Sequence, residues 1–164
     1  MAEIREIPGP EAWTGFEEDY GGKRLRAFWL GKSLGEMATQ FSGGQSIQRA
    51  DELLHMPRSA FQFYVFSHAQ YLLSDKSVRD SEAASVFLGL LAAREKRDPG
   101  SVAQVYEQLL PAISFVAASQ PRFDADKSHY GDFGERAAEV ARLCRRDPDE
   151  LTGENQMLDP TDDA

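Results

Sequence analysis

Residues 56–74, MPRSAFQFYVFSHAQYLLS, form the densest apolar and aromatic stretch of the chain, and their reading decides the fold. Phe61, Tyr64, Val65, Ala69 and Leu72 recur at helical spacing on one face, while Phe63, Phe66 and Leu73 cover much of the other side. The segment 61–66 alone would suit a strand, but Pro57 fits a first helical turn and the apolar run continues to Leu73, which favours a helix. A helix with so little polar circumference must be wrapped by others. The expectation is an all-α, single-domain bundle of five to seven helices around this aromatic-rich central helix.

Upstream, Ala27, Leu30, Leu34, Met37, Ala38 and Phe41 make a helical stripe that predicts one helix over 23–41, stopped by Ser42, Gly43 and Gly44. Ser46 then reads as the N-cap of a short helix carrying Ile47, Ala50, Leu53 and Leu54, ended before Pro57. Residues 1–22 hold Pro8, Gly9, Pro10, Gly15, Gly21 and Gly22, too much punctuation for a long helix. They predict an irregular strap with a short helix over 10–20.

Downstream, Asp80 or Ser81 caps a heavily buried helix containing Phe87, Leu88, Leu90 and Leu91. Asp98, Pro99 and Gly100 break the chain. Ser101 opens a further helix with the stripe Val102, Val105, Leu109, Ile113 and Val116, in which Pro111 predicts a kink or a change of segment. The last helix is expected from 131 or 133 to 146, with Ala137, Val140, Ala141 and Cys144 facing inward.

The net charge of −9 is unevenly placed. Residues 1–146 are close to neutral, whereas 147–164 carry seven carboxylates and no cation, which reads as a flexible acidic tail. A single cysteine excludes an internal disulfide framework, and 1–7 alternate charge with isoleucine where a secretory signal needs an apolar core. A cytoplasmic setting is expected. No apolar run approaches the roughly 20 residues that span a bilayer, so no membrane association is expected.

The spacing of Asp124, Asp126, Ser128, Tyr130, Asp132 and Glu135 puts oxygen-bearing residues at positions 1, 3, 5, 7, 9 and 12 of a twelve-residue loop between two helices, with Phe123 just ahead. This pattern resembles an EF-hand calcium loop, and the resemblance implies a metal site on Asp124, Asp126, Ser128, Asp132 and Glu135. It departs from the family at its sixth position, where His129 replaces the turn glycine, and at its eighth, which is Gly131. The competing reading is a connector whose Asp132 caps the final helix.

Other patterns point to less. Cys144 stands beside arginines but shares a face with Val140 and Ala141, which suits a small buried hydrophobe. His55, His68 and His129 show no zinc spacing. Gly21, Gly22 and Lys23 ahead of Arg24 and Arg26 could cradle a phosphate, without the spacing of a P-loop or a dinucleotide fingerprint. With Trp29 and Lys32 they are also the one patch suited to nucleic acid, yet the near-neutral body gives little of the electrostatic footprint such binding needs.

No catalytic constellation or cofactor motif stands out. The leading expectation is a non-enzymatic module that binds a cognate protein, of which an immunity or antitoxin protein is one form, using the aromatic residues Trp13, Phe16, Tyr20 and Trp29. The alternatives are a small-ligand binder or enzyme with a pocket beside the central helix, lined by Tyr64, His68 and Tyr71, and a calcium-responsive protein using 124–135.

Overall fold

The computed structural model describes residues 6–14 and 20–145. Its α-helices are α1 Tyr20–Trp29, α2 Leu34–Ala38, α3 Ser46–His55, α4 Arg58–Leu73, α5 Ser81–Arg97, α6 Tyr106–Ala118, α7 Lys127–Tyr130 and α8 Phe133–Cys144. Short 3-10 turns, the first at Pro10–Trp13, connect or extend them, and there is no strand among the described residues. The protein is an all-α bundle carried by six helices of ten or more residues. No helix among the described residues is long and apolar enough to cross a membrane. The acidic stretch 147–164 lies outside the described residues.

The aromatic stretch forms α4, which buries Phe61, Phe63, Tyr64, Val65, His68, Tyr71 and Leu72 on several sides at once. Helices α2, α3, α5 and α6 all pack on it, α3 packs on α5, and α8 closes the far side against α5 and α6. Pro57 sits just before the helix as its N-cap residue, in extended geometry, and starts it without donating an amide.

The helix expected over 23–41 is instead two. It breaks at 30–33, where Gly31 takes a positive φ of 79° and Ser33 restarts the chain with a capping box to Glu36. The Tyr64 hydroxyl lies 2.7 Å from the carbonyl of Trp29, which also accepts from the Lys32 amide at 3.1 Å, and 2.8 Å from the carbonyl of Lys32, and so adds a donor at the break. The apolar stripe continues across the break, which is why spacing alone hides it. Two other boundaries also shift. The helix expected from Ser101 begins at Tyr106 after a 3-10 turn, and α6 runs through Pro111 without interruption. Pro111 and Glu107, whose carbonyl loses its amide partner, are both exposed, so water can serve that carbonyl.

The helix ends meet around two adjacent residues of α5. Arg94 is 4% exposed and donates from Nη1 to the carbonyls of Leu54 at 2.8 Å and Met56 at 2.6 Å, which belong to the C-terminal end of α3. It also donates to Ser101 Oγ and Asp98, and it stacks over Phe61 of α4. Glu95 is 3% exposed and accepts from the amides of Gly100, Val102 and Ala103 at 2.7 to 3.0 Å, on the path into α6. Arg58, first in α4, binds Asp98 and the carbonyl of Pro99, and its guanidinium holds the Asp98 carboxyl below the usual range.

Replacing Arg94 by methionine leaves buried carbonyls without donors. Arg94→Met is expected to lower unfolding free energy by about 3 kcal/mol in urea titrations, and Arg142→Met, on the exposed face of α8, by less than about 0.5 kcal/mol.

Candidate functional site

The residues singled out from the sequence divide sharply in space. Trp13 and Trp29 are fully buried, Trp13 with its ring 6.3 Å from Tyr64 and Trp29 at 5.1 Å, so neither presents a surface to a partner. The strap therefore packs its tryptophan into the core. Phe16 and the Tyr20 side chain lie outside the described residues.

Tyr64, His68 and Tyr71 are buried and tied within the core. Burial pushes the Tyr64 phenol up to about 12. Tyr71 donates to Asp80 Oδ2 at 2.7 Å, and Asp80 in turn caps α5 by accepting from the amide of Ala83, which links α4 to the start of α5. His68 lies between the rings of Phe41 and Phe87, with Nε2 2.9 Å from the carbonyl of Ala83. A carbonyl can only accept, so Nε2 carries the proton and the ring is neutral. Nδ1 is buried without a hydrogen-bond partner among the described residues, and burial lowers the pKa to about 4. None of the three residues lines either of the two clefts described below.

The acidic loop is organised by a glutamine. Gln120, 5% exposed, donates from Nε2 to the carbonyls of Ala125 at 3.0 Å and Gly131 at 2.8 Å, and its Oε1 accepts from the amide of Phe133 at 2.9 Å. A neutral amide thus draws the loop together where a calcium loop wraps an ion. The carboxylates have other partners: Asp132 caps α8 through the amide of Glu135 and pairs with Lys127, Asp126 accepts from Ser128, and Asp124 takes the left-handed conformation that ends a 3-10 turn. Asp124, Asp126, Ser128, Asp132 and Glu135 form no ligand cage, and no three His, Cys, Asp or Glu side chains converge on one point among the described residues. The Cys144 thiol is half-buried and pushed up to about 12 by burial and by Glu95, which opposes nucleophilic use.

Two surface clefts carry the remaining chemistry. The first, of about 730 Å³, opens between α1, α3 and the end of α5. Gly21, Gly22, Arg24, Leu25 and Phe28 of α1 face Gln48, Arg49, Asp51, Glu52 and His55 of α3, with Arg97 at the side. The guanidinium of Arg49 stacks 4.1 Å over Phe28 and lies 3.0 Å from Glu52, which accepts from the indole of Trp29 at 2.8 Å. Burial raises the Glu52 pKa against the pull of Trp29 and Arg49. The second cleft is an apolar groove of about 600 Å³ between α2, α4 and α6. Leu34, Phe63, Phe66, Ala69, Leu73, Pro111 and Ala112 form its walls, with Ser33, Gln70, Ser74 and Gln108 on the rim and Ile7 at one end. Sequence reading reached the glycine–basic wall of the first cleft but not Arg49, whose stacking partner Phe28 comes from another helix. Phe63, Phe66 and Leu73 were visible as a second apolar face of α4 without sign that part of it stays open.

Two outcomes follow for the core histidine and the loop. The unfolded His68 titrates near 6.5 and the folded ring near 4, so the unfolded chain takes the proton first. Stability is full above pH 6.5 and falls as the pH drops toward 4, by on the order of 3 kcal/mol in urea titrations, and His68→Phe loses most of that slope. Gln120→Leu is expected to cost about 2 kcal/mol or more in the same assay, because three backbone groups lose their partner; millimolar calcium leaves the melting temperature of the natural protein unchanged. Compared with known protein families, curated proteins and solved structures, the chain matches none.

Proposed function

We propose that this protein is a non-enzymatic recognition module that binds a cognate protein by taking an amphipathic helix of that partner into the groove between α2, α4 and α6. The observation that carries the reading is the incomplete wrapping of α4 by the described residues. Its apolar residues are covered elsewhere by α2, α3, α5 and α6, but along the groove Leu73 remains 48% exposed beside Phe63, Phe66 and Ala69. One further helix laid there would complete the packing, and helix-in-groove recognition works through such a strip.

The chemistry of the groove sets the partner. No charged side chain lines it among the described residues, and the rim offers neutral hydroxyls and amides. The partner helix therefore presents an apolar stripe flanked by uncharged polar residues, and long-range charge contributes little. This moves the partner face away from Trp13 and Trp29. An inhibitor or immunity protein acting in the cytoplasm is one form of this function, and the lone Cys144 suits such a reducing setting.

Tagged protein recovered from its native cells, with light scattering on the eluate, tests the reading. A stoichiometric partner is expected to stay bound at about 1 M salt, where charge is screened beyond ~3 Å. Leu73→Glu, at an exposed position, is expected to keep the melting temperature and weaken binding about tenfold or more, ~1.4 kcal/mol. A partner released by salt or held equally by the variant would contradict the proposal, as would protein recovered alone or bound to a second copy of itself.

A further inference from the structure

One wall of the apolar groove breaks a rule of helix chemistry. Pro111 stands in the interior of α6, exposed and on the groove side. A proline has no N–H, so the carbonyl of Glu107, four residues earlier, lacks the amide that an α-helix would give it. A helical carbonyl points along the axis toward the residue four positions on, which places this oxygen at the foot of the Pro111 ring, on the groove wall. No side chain donates to it among the described residues. The proline does not end the helix, which continues to Ala118. An unfavourable residue at an exposed position of an otherwise regular helix is a pointer to use. The neighbouring seam shows the opposite arrangement. Just before α6, Gln104 accepts from Gln62 of α4 at 2.8 Å, and Gln62 also donates to the carbonyl of Ser101 at 3.1 Å, so side-chain amides tie the two elements together. Farther along, Gln70 of α4 and Gln108 of α6 stand exposed on the groove rim without such a link among the described residues.

We infer that the Glu107 carbonyl and Gln108 form a polar anchor for the partner helix, and that this helix carries a side-chain amide, from Asn or Gln, beside its apolar stripe to meet them. The inference rests on the reading of the groove as the partner site. The partner's amide N–H donates to the Glu107 carbonyl, and its amide oxygen accepts from Nε2 of Gln108. An amide presents donor and acceptor side by side, which suits a carbonyl and an amide one residue apart. An ammonium or guanidinium would bring a charge into a groove whose lining has none among the described residues. An apolar strip alone lets a helix slip by a turn, and one polar pairing fixes its register. Water serves the carbonyl in the free protein, so a helix that strips the water without replacing the bond is disfavoured.

The protein co-purified with the tagged chain is the probe, and its affinity is measured by isothermal titration against the natural chain, Leu73→Glu, Pro111→Ala, Pro111→Val and Gln108→Met. Both substitutions at 111 supply an N–H that pairs with the Glu107 carbonyl inside α6, and valine also keeps most of the apolar bulk of the ring. Both are expected to raise the melting temperature and to weaken binding about tenfold, opposite signs that a loss of folding does not produce. Gln108→Met, of similar size, is expected to keep the melting temperature and weaken binding about fivefold. Pro111→Val binding as tightly as the natural chain would reduce the proline to an apolar wall and overturn the inference. So would a melting temperature unchanged by both substitutions at 111, since the carbonyl would then have no bond to gain, or an affinity unchanged in Gln108→Met. These failures leave the groove reading standing as long as Leu73→Glu weakens binding. If Leu73→Glu binds like the natural chain, or no partner is recovered, the groove reading and this inference fall together.

Discussion

Two neighbouring residues of opposite charge, Arg94 and Glu95, hold the ends of four helices together from inside the protein. Adjacent positions on a helix point about 100° apart, so one residue of α5 reaches the end of α3 and the start of α4 while the next reaches the lead into α6. Burying either charge alone would cost several kcal/mol. Here each is matched to groups that helices leave unpaired at their ends: carbonyls after α3 for the arginine, amides before α6 for the glutamate. Arg58 and Asp98 extend the arrangement to the first residue of α4. The loops at this end of the bundle are therefore fixed by hydrogen bonds of defined direction, while dispersion and hydrophobic burial around α4 supply the bulk of the driving force.

The two surface clefts follow from how α4 is covered. Tyr64 reaches out of the core to the broken turn between α1 and α2, beyond which α2 lies on α4, while the first described turn of α1 faces α3 across the charged cleft. The apolar groove is what α2 and α6 leave open along α4. The two surfaces differ in chemistry because one faces α3, rich in charge, and the other faces only uncharged side chains.

Much of the fold was legible because its signals are local. The apolar density of 56–74 requires a wrapped helix, Asp80 and Asp132 stand where caps stand, and both cap their helices. The break at 30–33 escaped because Leu30, Leu34 and Met37 keep helical spacing through it, although Ser33 and Glu36 spell a capping box. Trp13 allowed two readings, a strap packed on the body and an exposed aromatic patch for a partner; a single 3-10 turn inserts its indole into the core, as the packed strap requires. The acidic spacing at 124–135 was read along one dimension, whereas Gln120, outside the pattern, makes the bonds that shape the loop. Arg49 was partly hidden: its pairing with Glu52 is an i,i+3 spacing within α3, but its stacking on Phe28 of α1 follows from no local spacing.

The dependence of the fold on the Arg94–Glu95 pair is tested most directly by native-state hydrogen exchange at the amides of Gly100, Val102 and Ala103. These lie in a turn, where amides ordinarily exchange through small local openings. If Glu95 anchors them as part of the cooperative core, they exchange with the same protection as the amides of α4, and only through global unfolding. Exchange at these three amides as fast as in an open loop, with α4 still protected, would show that the pair decorates the bundle and does not hold it.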